Sequence, residues 1–288
     1  MILSRQNRTL KDIRRLRRSK GDLALLEGPH LVGEALAGGI ELETVLATPD
    51  FLASPEGAAL CRRLATSPLA SLTPLVVAPE LLADLADADS PRGLLAVARL
   101  PRPGVAALPL RPGAPYLYLD GLQDPGNLGA LARVAEAAGA AGLALAPGSV
   151  HPNHPRALRG SAGSLLRLPV AVGVSPDDLA RHLAGIAEGA GVTPRWAALV
   201  PRGGADLYAT RLVPPAPRAP GRPPAPAFVL ALGAEGPGLS PEADRRADLR
   251  LTIPLAPPVE SLNAVVAAAL VLFELRRQQG LAVGESMV

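Results

Sequence analysis

Short, continuously apolar segments alternate with helical patterns along the second part of the chain. Strands are predicted over residues 116–120, 142–146, 168–174, 196–200, 228–232 and 249–255. Helices are predicted over 125–138, 155–164 and 175–191, and a long apolar helix is predicted over 259–279. Apolar strands joined by helices are typical of a parallel sheet covered on both faces. We therefore predict an α/β domain whose ligands bind beyond the carboxyl ends of the strands.

The first hundred residues show a mixed pattern. Residues 7–20 are predicted to form a helix with a basic face, and strands and helical pieces alternate after it. Two proline-rich stretches interrupt the chain, at 100–114 and 213–227. These patterns predict a small N-terminal α/β domain over 1–99, a linker over 100–114 and a second domain over 115–288 that contains an insertion at 213–227.

Composition and charge narrow the class of protein. Apolar residues make up 48% of the chain, which excludes general disorder. The single cysteine cannot form an intramolecular disulfide, which favours a reducing compartment. No apolar segment follows the basic N-terminus, and the longest apolar run has ten residues, too few to span a membrane. We therefore predict a soluble cytoplasmic protein. The net charge is only +3, but residues 1–20 contain eight arginines and lysines against one acid. Because 27 of the 29 basic residues are arginine, a single arginine is weak evidence of function.

The first candidate loop follows the strand at 116–120. Asp124 is a predicted N-cap, with proline at the first helical position. Small residues lie seven, four and three positions before Arg133, on the same helical face. A ligand could therefore lie against the backbone beside the Arg133 guanidinium. An ordinary surface arginine on an alanine-rich helix is the alternative interpretation.

The second candidate loop, residues 232–240, is rich in glycine. The spacing of Gly233, Gly236 and Gly238 is neither that of the dinucleotide fingerprint nor that of a nucleotide-triphosphate phosphate loop. A glycine turn at the carboxyl end of a strand suits close approach of a ligand to the backbone, and Glu235 is the only charged residue in it. A simple tight connection explains the same glycines.

The third candidate segment joins the last predicted strand to the last predicted helix. The sequence Ile253-Pro254-Leu255 ends the strand, and Ser261 and Asn263 are predicted in the first turn of the helix. Short polar side chains at this position cap a helix, and the same hydroxyl and amide could orient a substrate.

Taken in this order, the three segments resemble the three motifs of the SpoU/TrmH-type RNA 2′-O-ribose methyltransferases, in the SPOUT class. The motifs are N-x-G-x-x-x-R, G-x-E-G-x-G, and I-P-L followed by S-L-N. Residues 154–170 are similar to the family segment between the first two motifs. The N-terminal sequences NRTLKDIRRLR, LEGPHLVGEAL and SPRGLLAV resemble the substrate-binding domain of many members.

The resemblance implies a fold and a set of site residues. The domain from about residue 114 onward would contain a deep trefoil knot, bind S-adenosylmethionine and form a homodimer, with the last helix as a candidate contributor to the interface. The residues implied for catalysis are Asn127, Arg133, Glu235, Ser261 and Asn263. The residues implied for cofactor binding are Gly233, Glu235, Gly236, Ile253, Leu255 and Leu262. No metal is implied, because the sulfonium of the cofactor already activates the methyl group.

RNA is the partner that the resemblance implies for the basic N-terminal helix, since guanidinium-rich faces bind phosphates. The candidate RNA-binding residues are Arg14, Arg15, Arg18, Arg156 and Arg159. A solvated basic face is the alternative. Ribosomal RNA is the favoured substrate and transfer RNA the nearest rival. A non-catalytic RNA-binding or assembly protein and a metabolite-binding α/β domain remain as other classes of function.

Two further groups of residues are weaker candidates for a functional site. His151-x-x-His154 has a spacing found in some metal sites, but prolines flank both residues and no third ligand is apparent, so a surface loop is predicted. Cys61 lies beside two arginines without a nearby histidine, and it is predicted to be structural.

Overall fold

A computed structural model describes residues 2–16, 21–66, 72–87, 91–190, 193–213 and 227–280. The chain divides into two compact units, residues 1–102 with 151–167 and residues 103–150 with 168–288. The proline-rich stretch 100–114 is therefore shared between the units: Leu100 and Leu108 are both buried. The segment 151–167, which the sequence analysis placed in the second domain, groups with the N-terminal unit. Most of the proline-rich insertion, residues 214–226, lies outside the described residues.

The elements follow one another along the chain, and those up to residue 100 all belong to the first unit. They are α1 (Arg8–Leu16), β1 (Leu23–Glu27), α2 (Gly28–Ala37), β2 (Leu42–Ala47), α3 (Pro49–Ala53), α4 (Pro55–Thr66), β3 (Leu75–Val76), α5 (Pro79–Ala83) and β4 (Leu94–Arg99). The later elements are β5 (Pro115–Asp120), α6 (Pro125–Ala137), β6 (Gly142–Leu145), α7 (Pro155–Gly160), α8 (Ser164–Arg167), β7 (Val170–Val172), α9 (Pro176–Ala190), β8 (Arg195–Leu199), β9 (Ala205–Asp206), β10 (Phe228–Gly233), α10 (Pro241–Arg246), β11 (Leu249–Thr252) and α11 (Ala264–Gln279).

The first unit is built on a mixed sheet. Its described strands run in the order β1-β4-β2-β3, antiparallel except for the β2–β3 pair. Helix α1 covers this sheet with Leu10 and Ile13, which are buried in a cluster with Leu25 and Val97. The predicted helix over 7–20 is thus described as far as Leu16, and residues 17–20 lie outside the described part.

The segment 151–167 is held in the first unit by a buried amide. The side chain of Asn153 is buried, and its Nδ2 donates to the carbonyl oxygens of Gly21 and Leu100 at 3.1 and 2.9 Å. Its Oδ1 accepts from Nε of Arg102 at 2.8 Å, and the same guanidinium donates to the Leu165 carbonyl. Burial lowers the pKa of Arg102 to about 10. These bonds satisfy polar groups that would otherwise be costly to bury.

The second unit contains the predicted parallel sheet. Its described strands run in the order β7-β6-β5-β10-β8-β11-β9, and every pair is parallel. Strand β10 inserts between β5 and β8, and β11 inserts between β8 and β9. Five consecutive residues of β5 and of β10 are buried, as expected for central strands covered on both faces. The α/β prediction is confirmed.

The last helix begins five residues later than predicted. Helix α11 starts at Ala264 with Asn263 as its N-cap, and the segment 253–263 before it is a loop. The Asn263 side chain accepts a hydrogen bond from the Val265 amide and so caps the helix at Ala264, which explains the late start. In the described part of the chain, no helix is long and apolar enough to cross a membrane.

Candidate active site

A cavity of about 600 Å³ lies at the carboxyl-terminal edge of the parallel sheet of the second unit. Its walls come from the segments that follow β8, β10 and β11. The lining residues are Leu199, Val200, Pro201, Leu232, Gly233, Ala234, Glu235, Gly236, Gly238, Ile253, Leu255, Ser261, Leu262, Asn263, Ala264 and Ala267. All six residues predicted to bind a cofactor line this cavity. A cavity of this size at this edge of a parallel sheet is typical of a small-molecule site.

The wall formed by the glycine loop requires glycine for two different reasons. Ala234 and Gly238 exchange two backbone hydrogen bonds at 3.0 Å, which close residues 234–238 into a tight turn. Gly236 and Gly238 have φ angles of +91° and +76°, a region that favours glycine. A Cβ atom on Gly233 would lie 2.1 Å from the carbonyl carbon of Gly238. The turn therefore folds directly over the end of β10, and its three glycines all line the cavity.

Asp120 anchors this turn to the neighbouring strand. It is the last residue of β5, paired in register with Gly233 of β10, and its Oδ2 accepts a hydrogen bond from the Ser240 amide at 2.7 Å. Ser240 in turn caps α10, since its Oγ accepts from the Ala243 amide. The sequence analysis did not single out Asp120. Its position at the carboxyl end of the central strand was the available signal.

Asn127, Glu235 and Asn263, one residue from each motif, form a chain of hydrogen bonds. Nδ2 of Asn127 donates to Oε1 of Glu235 at 2.6 Å. Nδ2 of Asn263 donates to Oδ1 of Asn127 at 3.3 Å, and Oδ1 of Asn263 accepts from the Val265 amide at 2.9 Å. Asn127 is positioned by its own helix as well, because its amide donates to the N-cap Asp124 at 2.7 Å. The three motifs thus meet in one network.

The direction of every bond in this chain is fixed by its two ends. An ionised carboxylate only accepts hydrogen bonds, so the Asn127 amide must turn its NH₂ group toward Glu235 and its oxygen toward Asn263. A backbone amide only donates, so the Asn263 oxygen must face Val265. Both requirements agree on the same orientation of the two side-chain amides.

Ser261 and Asn263 are placed differently from the sequence prediction. Neither lies within the first turn of a helix: Ser261 is an exposed loop residue lining the cavity, and Asn263 is the N-cap of α11. Asn263 both caps the helix and contacts Asn127. Capping of α11 and contact with the candidate site are therefore compatible roles of this residue.

Arg133 is exposed on α6 and does not line the cavity. It forms no hydrogen bond or ion pair with any residue that the structure describes. The glycine side of α6 is not open as the sequence suggested, because Gly129 is buried and α6 packs against α11.

The predicted RNA-binding arginines fall into different environments in the first unit. Arg15 is 83% exposed, whereas Arg14 lies 3.8 Å from the Asp84 carboxylate and donates to the Arg5 carbonyl. Arg156 is exposed, and Arg18 lies outside the described residues.

Arg159, also predicted to contact RNA, is engaged within the first unit. It donates to the carboxylates of Glu27 and Asp87, each at 3.1 Å, and the Glu27 side chain is only 6% exposed. This arginine neutralises a buried acid, a role that its sequence position did not reveal.

The histidine pair forms turns. Nδ1 of His151 accepts from the Asn153 amide, and Nδ1 of His154 accepts from the Arg156 amide at the start of α7. Across the described residues, no group of three or more histidine, cysteine, aspartate or glutamate side chains is arranged to hold a metal ion.

The fold and the cavity define a parallel α/β domain with a cavity of small-molecule size at the carboxyl ends of its strands. Residues 114–273 match the model of the SpoU rRNA Methylase family, and residues 6–96 match that of the MRM3-like substrate binding domain. The chain therefore belongs to the SpoU rRNA methylase family, which confirms the resemblance seen in the sequence.

Relatives similar along nearly the whole chain support the same assignment. A Synechocystis protein named uncharacterized tRNA/rRNA methyltransferase is 33% identical, over 96% of this chain and 94% of its own. The Bacillus subtilis 23S rRNA (guanosine(2553)-2′-O)-methyltransferase RlmP is 30% identical, over 96% of this chain and 98% of its own. Among solved structures, the SpoU methyltransferase AviRb from Streptomyces viridochromogenes in complex with AdoMet has a TM-score of 0.80 and 25% identity, covering 95% of this chain and 98% of that one.

Proposed function

We propose that this protein is a methyltransferase that uses S-adenosylmethionine to methylate a ribose 2′-oxygen of ribosomal RNA. The observation that carries the proposal is that the second and third family motifs line one cavity and that the first is joined to them by the Asn127–Glu235–Asn263 hydrogen bonds. A rigid arrangement of polar groups beside a small-molecule cavity is what a reaction between a bound cofactor and a positioned hydroxyl requires.

The residues of the cavity fit S-adenosylmethionine. Its apolar walls, among them Leu199, Ile253 and Leu262, suit the adenosine, and the bare backbone of the turn at 233–238 permits close contact with polar atoms. When bound, the cofactor supplies an electrophilic methyl group on a positively charged sulfur. The solved relative AviRb has AdoMet bound, which supports the same cofactor here.

Arg133 orients the RNA in this proposal. A guanidinium remains protonated at all accessible pH values, so it does not act as a simple base. It donates hydrogen bonds to a substrate phosphate and to the 2′-oxygen, where negative charge develops during methyl transfer. Its exposure and its lack of a partner among the described residues leave its donors free for this contact. Asn127, Ser261 and Asn263 hold the ribose and the loops around it.

Ribosomal RNA is favoured over transfer RNA by two observations. The Bacillus subtilis relative that is similar over nearly the whole chain is named for 23S rRNA, and residues 114–273 match a family model that is named for rRNA. The Synechocystis relative is named for both classes of RNA, so transfer RNA is the second substrate to test.

The proposal includes the deep trefoil knot. A late strand, β10, inserts between two strands formed earlier in the chain, and β11 does the same beside it. Such insertions are what a knotted chain needs, and they lie where the cavity is formed.

We further propose a homodimer formed through α11. An apolar groove in the second unit is lined by Tyr208, Val265, Val266, Ala269, Leu270, Phe273 and Glu274. Val266 and Phe273 lie seven residues apart on one helical face and are 49% and 48% exposed. Apolar residues exposed in a row on a helix are typical of an interface. Val266→Glu and Phe273→Glu should each yield a monomer in analytical ultracentrifugation; a wild-type monomer would contradict the dimer.

The function is tested directly by incubating the purified protein with tritium-labelled S-adenosylmethionine and, separately, protein-free ribosomal RNA and transfer RNA transcripts. We expect label in ribosomal RNA at one linkage that resists alkaline cleavage, which identifies the 2′-oxygen. Label only in transfer RNA would show that transfer RNA, rather than ribosomal RNA, is the substrate. Absence of label in both, with no calorimetric binding of the cofactor, would favour a non-catalytic RNA-binding protein.

A further inference from the structure

Helix α1 of the first unit has one buried face and one strongly charged face. Leu10 and Ile13 are buried at 0% and 2% exposure. Arg8, Lys11 and Arg15 follow a spacing of three and four residues, which places them on one side of the helix, opposite to the buried pair. We call Arg8, Lys11 and Arg15 the cationic stripe.

Other basic residues near the stripe are turned toward their own unit. Arg5 and Arg14 both approach the Asp84 carboxylate, at 2.9 and 3.8 Å, and Arg14 also donates to the Arg5 carbonyl. The Arg14 side chain is only 35% exposed. Both guanidinium groups share the Asp84 carboxylate, which fastens them to the residue after α5, although the Arg5 side chain is still 67% exposed.

The cationic stripe is exposed and poorly neutralised. The Arg8 and Arg15 side chains are 97% and 83% exposed, and Lys11 is exposed as well. Asp12 lies 3.9 Å from Arg8 and 3.7 Å from Arg15, so that one carboxylate is shared by two guanidinium groups. Exposed ion pairs of this length contribute little free energy and are easily exchanged for another anion.

We propose that the cationic stripe is the surface through which the N-terminal unit holds the phosphodiester backbone of the substrate RNA. Seven residues of helix place Arg8 and Arg15 about 10.5 Å apart along the axis, enough to contact more than one phosphate. Contacts of this kind position the RNA without reading its sequence. This inference rests on the proposed function, and it assigns Arg14 to the fold rather than to RNA.

The test compares two double variants that remove the same charge. Affinity for a protein-free 23S ribosomal RNA transcript is measured by filter binding between about 50 and about 200 mM salt. Arg8→Gln/Arg15→Gln should weaken binding by at least about tenfold and reduce the slope of log K against log salt by roughly 1.4 to 1.8. The control, Arg62→Gln/Arg92→Gln, removes two exposed arginines of the same unit outside the stripe and should leave the slope unchanged.

A variant that is expected to increase RNA affinity distinguishes the effect of charge from a folding defect. Asp12→Asn removes the acid that contacts both stripe arginines among the described residues, so it should tighten binding by a few fold. A structural role of Asp12 alone predicts no gain. Each variant is also checked for an unchanged thermal unfolding midpoint.

The outcomes separate this inference from the proposed function. Equal loss in both double variants, or no loss in the stripe variant, overturns the inference. If the wild-type protein nevertheless labels RNA with tritium, the proposed function stands. If no RNA is labelled but the stripe variant still loses affinity, the proposed methyl transfer is wrong and the cationic stripe is still supported as an RNA-binding surface.

Discussion

Asn127 donates a hydrogen bond to the Glu235 carboxylate at 2.6 Å, although 108 residues separate them. The carboxylate accepts only, so it sets the orientation of the Asn127 amide, and this amide sets that of Asn263. The first and second motifs are thus joined by a bond whose direction cannot be reversed without changing one of the two side chains.

This direction can be inverted by design. Asn127→Asp places two acceptors against each other, so we expect a loss of about 1 kcal/mol in the free energy of unfolding and a loss of methyl transfer. Glu235→Gln combined with Asn127→Asp supplies a donor at position 235 for the new carboxylate at 127. The double variant should therefore recover stability toward that of the wild type. A double-mutant cycle of thermal unfolding and activity measures the coupling, and additive losses would show that the two side chains act independently.

Arg133 is expected to act on the reaction rather than on cofactor binding. Arg133→Ala should lower the rate of methyl transfer by about 100-fold or more, the usual effect of losing a donor to a developing oxyanion. Cofactor affinity, measured by calorimetry, should stay unchanged because Arg133 does not line the cavity. Arg133→Lys should recover only part of the rate, since an ammonium lacks the planar fork of donors. Arg245→Ala, at an exposed arginine of α10, is the matched control; equal activity of both alanine variants would remove Arg133 from the mechanism.

Gly233→Ala tests the backbone wall of the cavity. The added Cβ would lie 2.1 Å from the Gly238 carbonyl carbon and 2.3 Å from the Leu239 nitrogen, so the turn must move. We expect cofactor binding to be lost in calorimetry. Gly104→Ala, in the same unit, has no atom within 4 Å of its new Cβ and should bind the cofactor normally. Normal binding by both variants would place the cofactor elsewhere.

Arg159 is expected to contribute to stability. Arg159→Gln removes the guanidinium that lies 3.1 Å from the Glu27 carboxylate, which is 6% exposed. We expect the free energy of unfolding to fall by about 1 to 3 kcal/mol, less than for a fully buried pair because Arg159 itself is 39% exposed. Arg156→Gln, at an exposed neighbour on α7, should leave stability unchanged in urea unfolding. A larger loss of stability in Arg156→Gln than in Arg159→Gln would show that Arg159 does not stabilise the fold and would restore it as a candidate RNA contact.

The stability of α11 should depend on pH in the acid range. Hydrogen bonds from Arg277 and Gln278 hold the pKa of Glu274 below its usual value. A carboxyl with a lowered folded pKa contributes stability above its unfolded pKa, and this is lost as the pH falls through the folded value. Glu274→Gln should therefore be less stable than the wild type at neutral pH, with the difference shrinking in acid. A difference independent of pH in thermal unfolding would assign the effect to packing.

Local pattern was enough to predict most elements of the second unit. The burial of β5 and β10 on both faces is visible as continuous apolar sequence, and the caps at Asp124 and Ser240 are visible as short polar residues before proline. The last helix was predicted over 259–279 and placed too early, because Ser261 and Asn263 were assigned to its first turn, whereas Asn263 is the N-cap of a helix that begins at Ala264.

The roles of the arginines could not be predicted from the sequence. Arg14 and Arg15 are neighbours in the same basic run, yet one pairs with Asp84 and the other faces solvent, because helical geometry points them in different directions. Arg159 binds Glu27, which is 132 residues away. The sequence around Arg159 gives no sign of Glu27, and the sequence around Glu27 gives no sign of Arg159.

The family, the parallel α/β class and the residues of the three motifs follow from the amino-acid sequence, because each depends on residue type, order and spacing along the chain. The insertion of β10 and β11 between earlier strands, and the grouping of segment 151–167 with the N-terminal unit, are visible only in the folded chain. The same holds for the directed chain of hydrogen bonds that joins Asn127, Glu235 and Asn263. Strand order and side-chain pairing depend on distances between residues far apart in the chain, and periodicity reports only on neighbours.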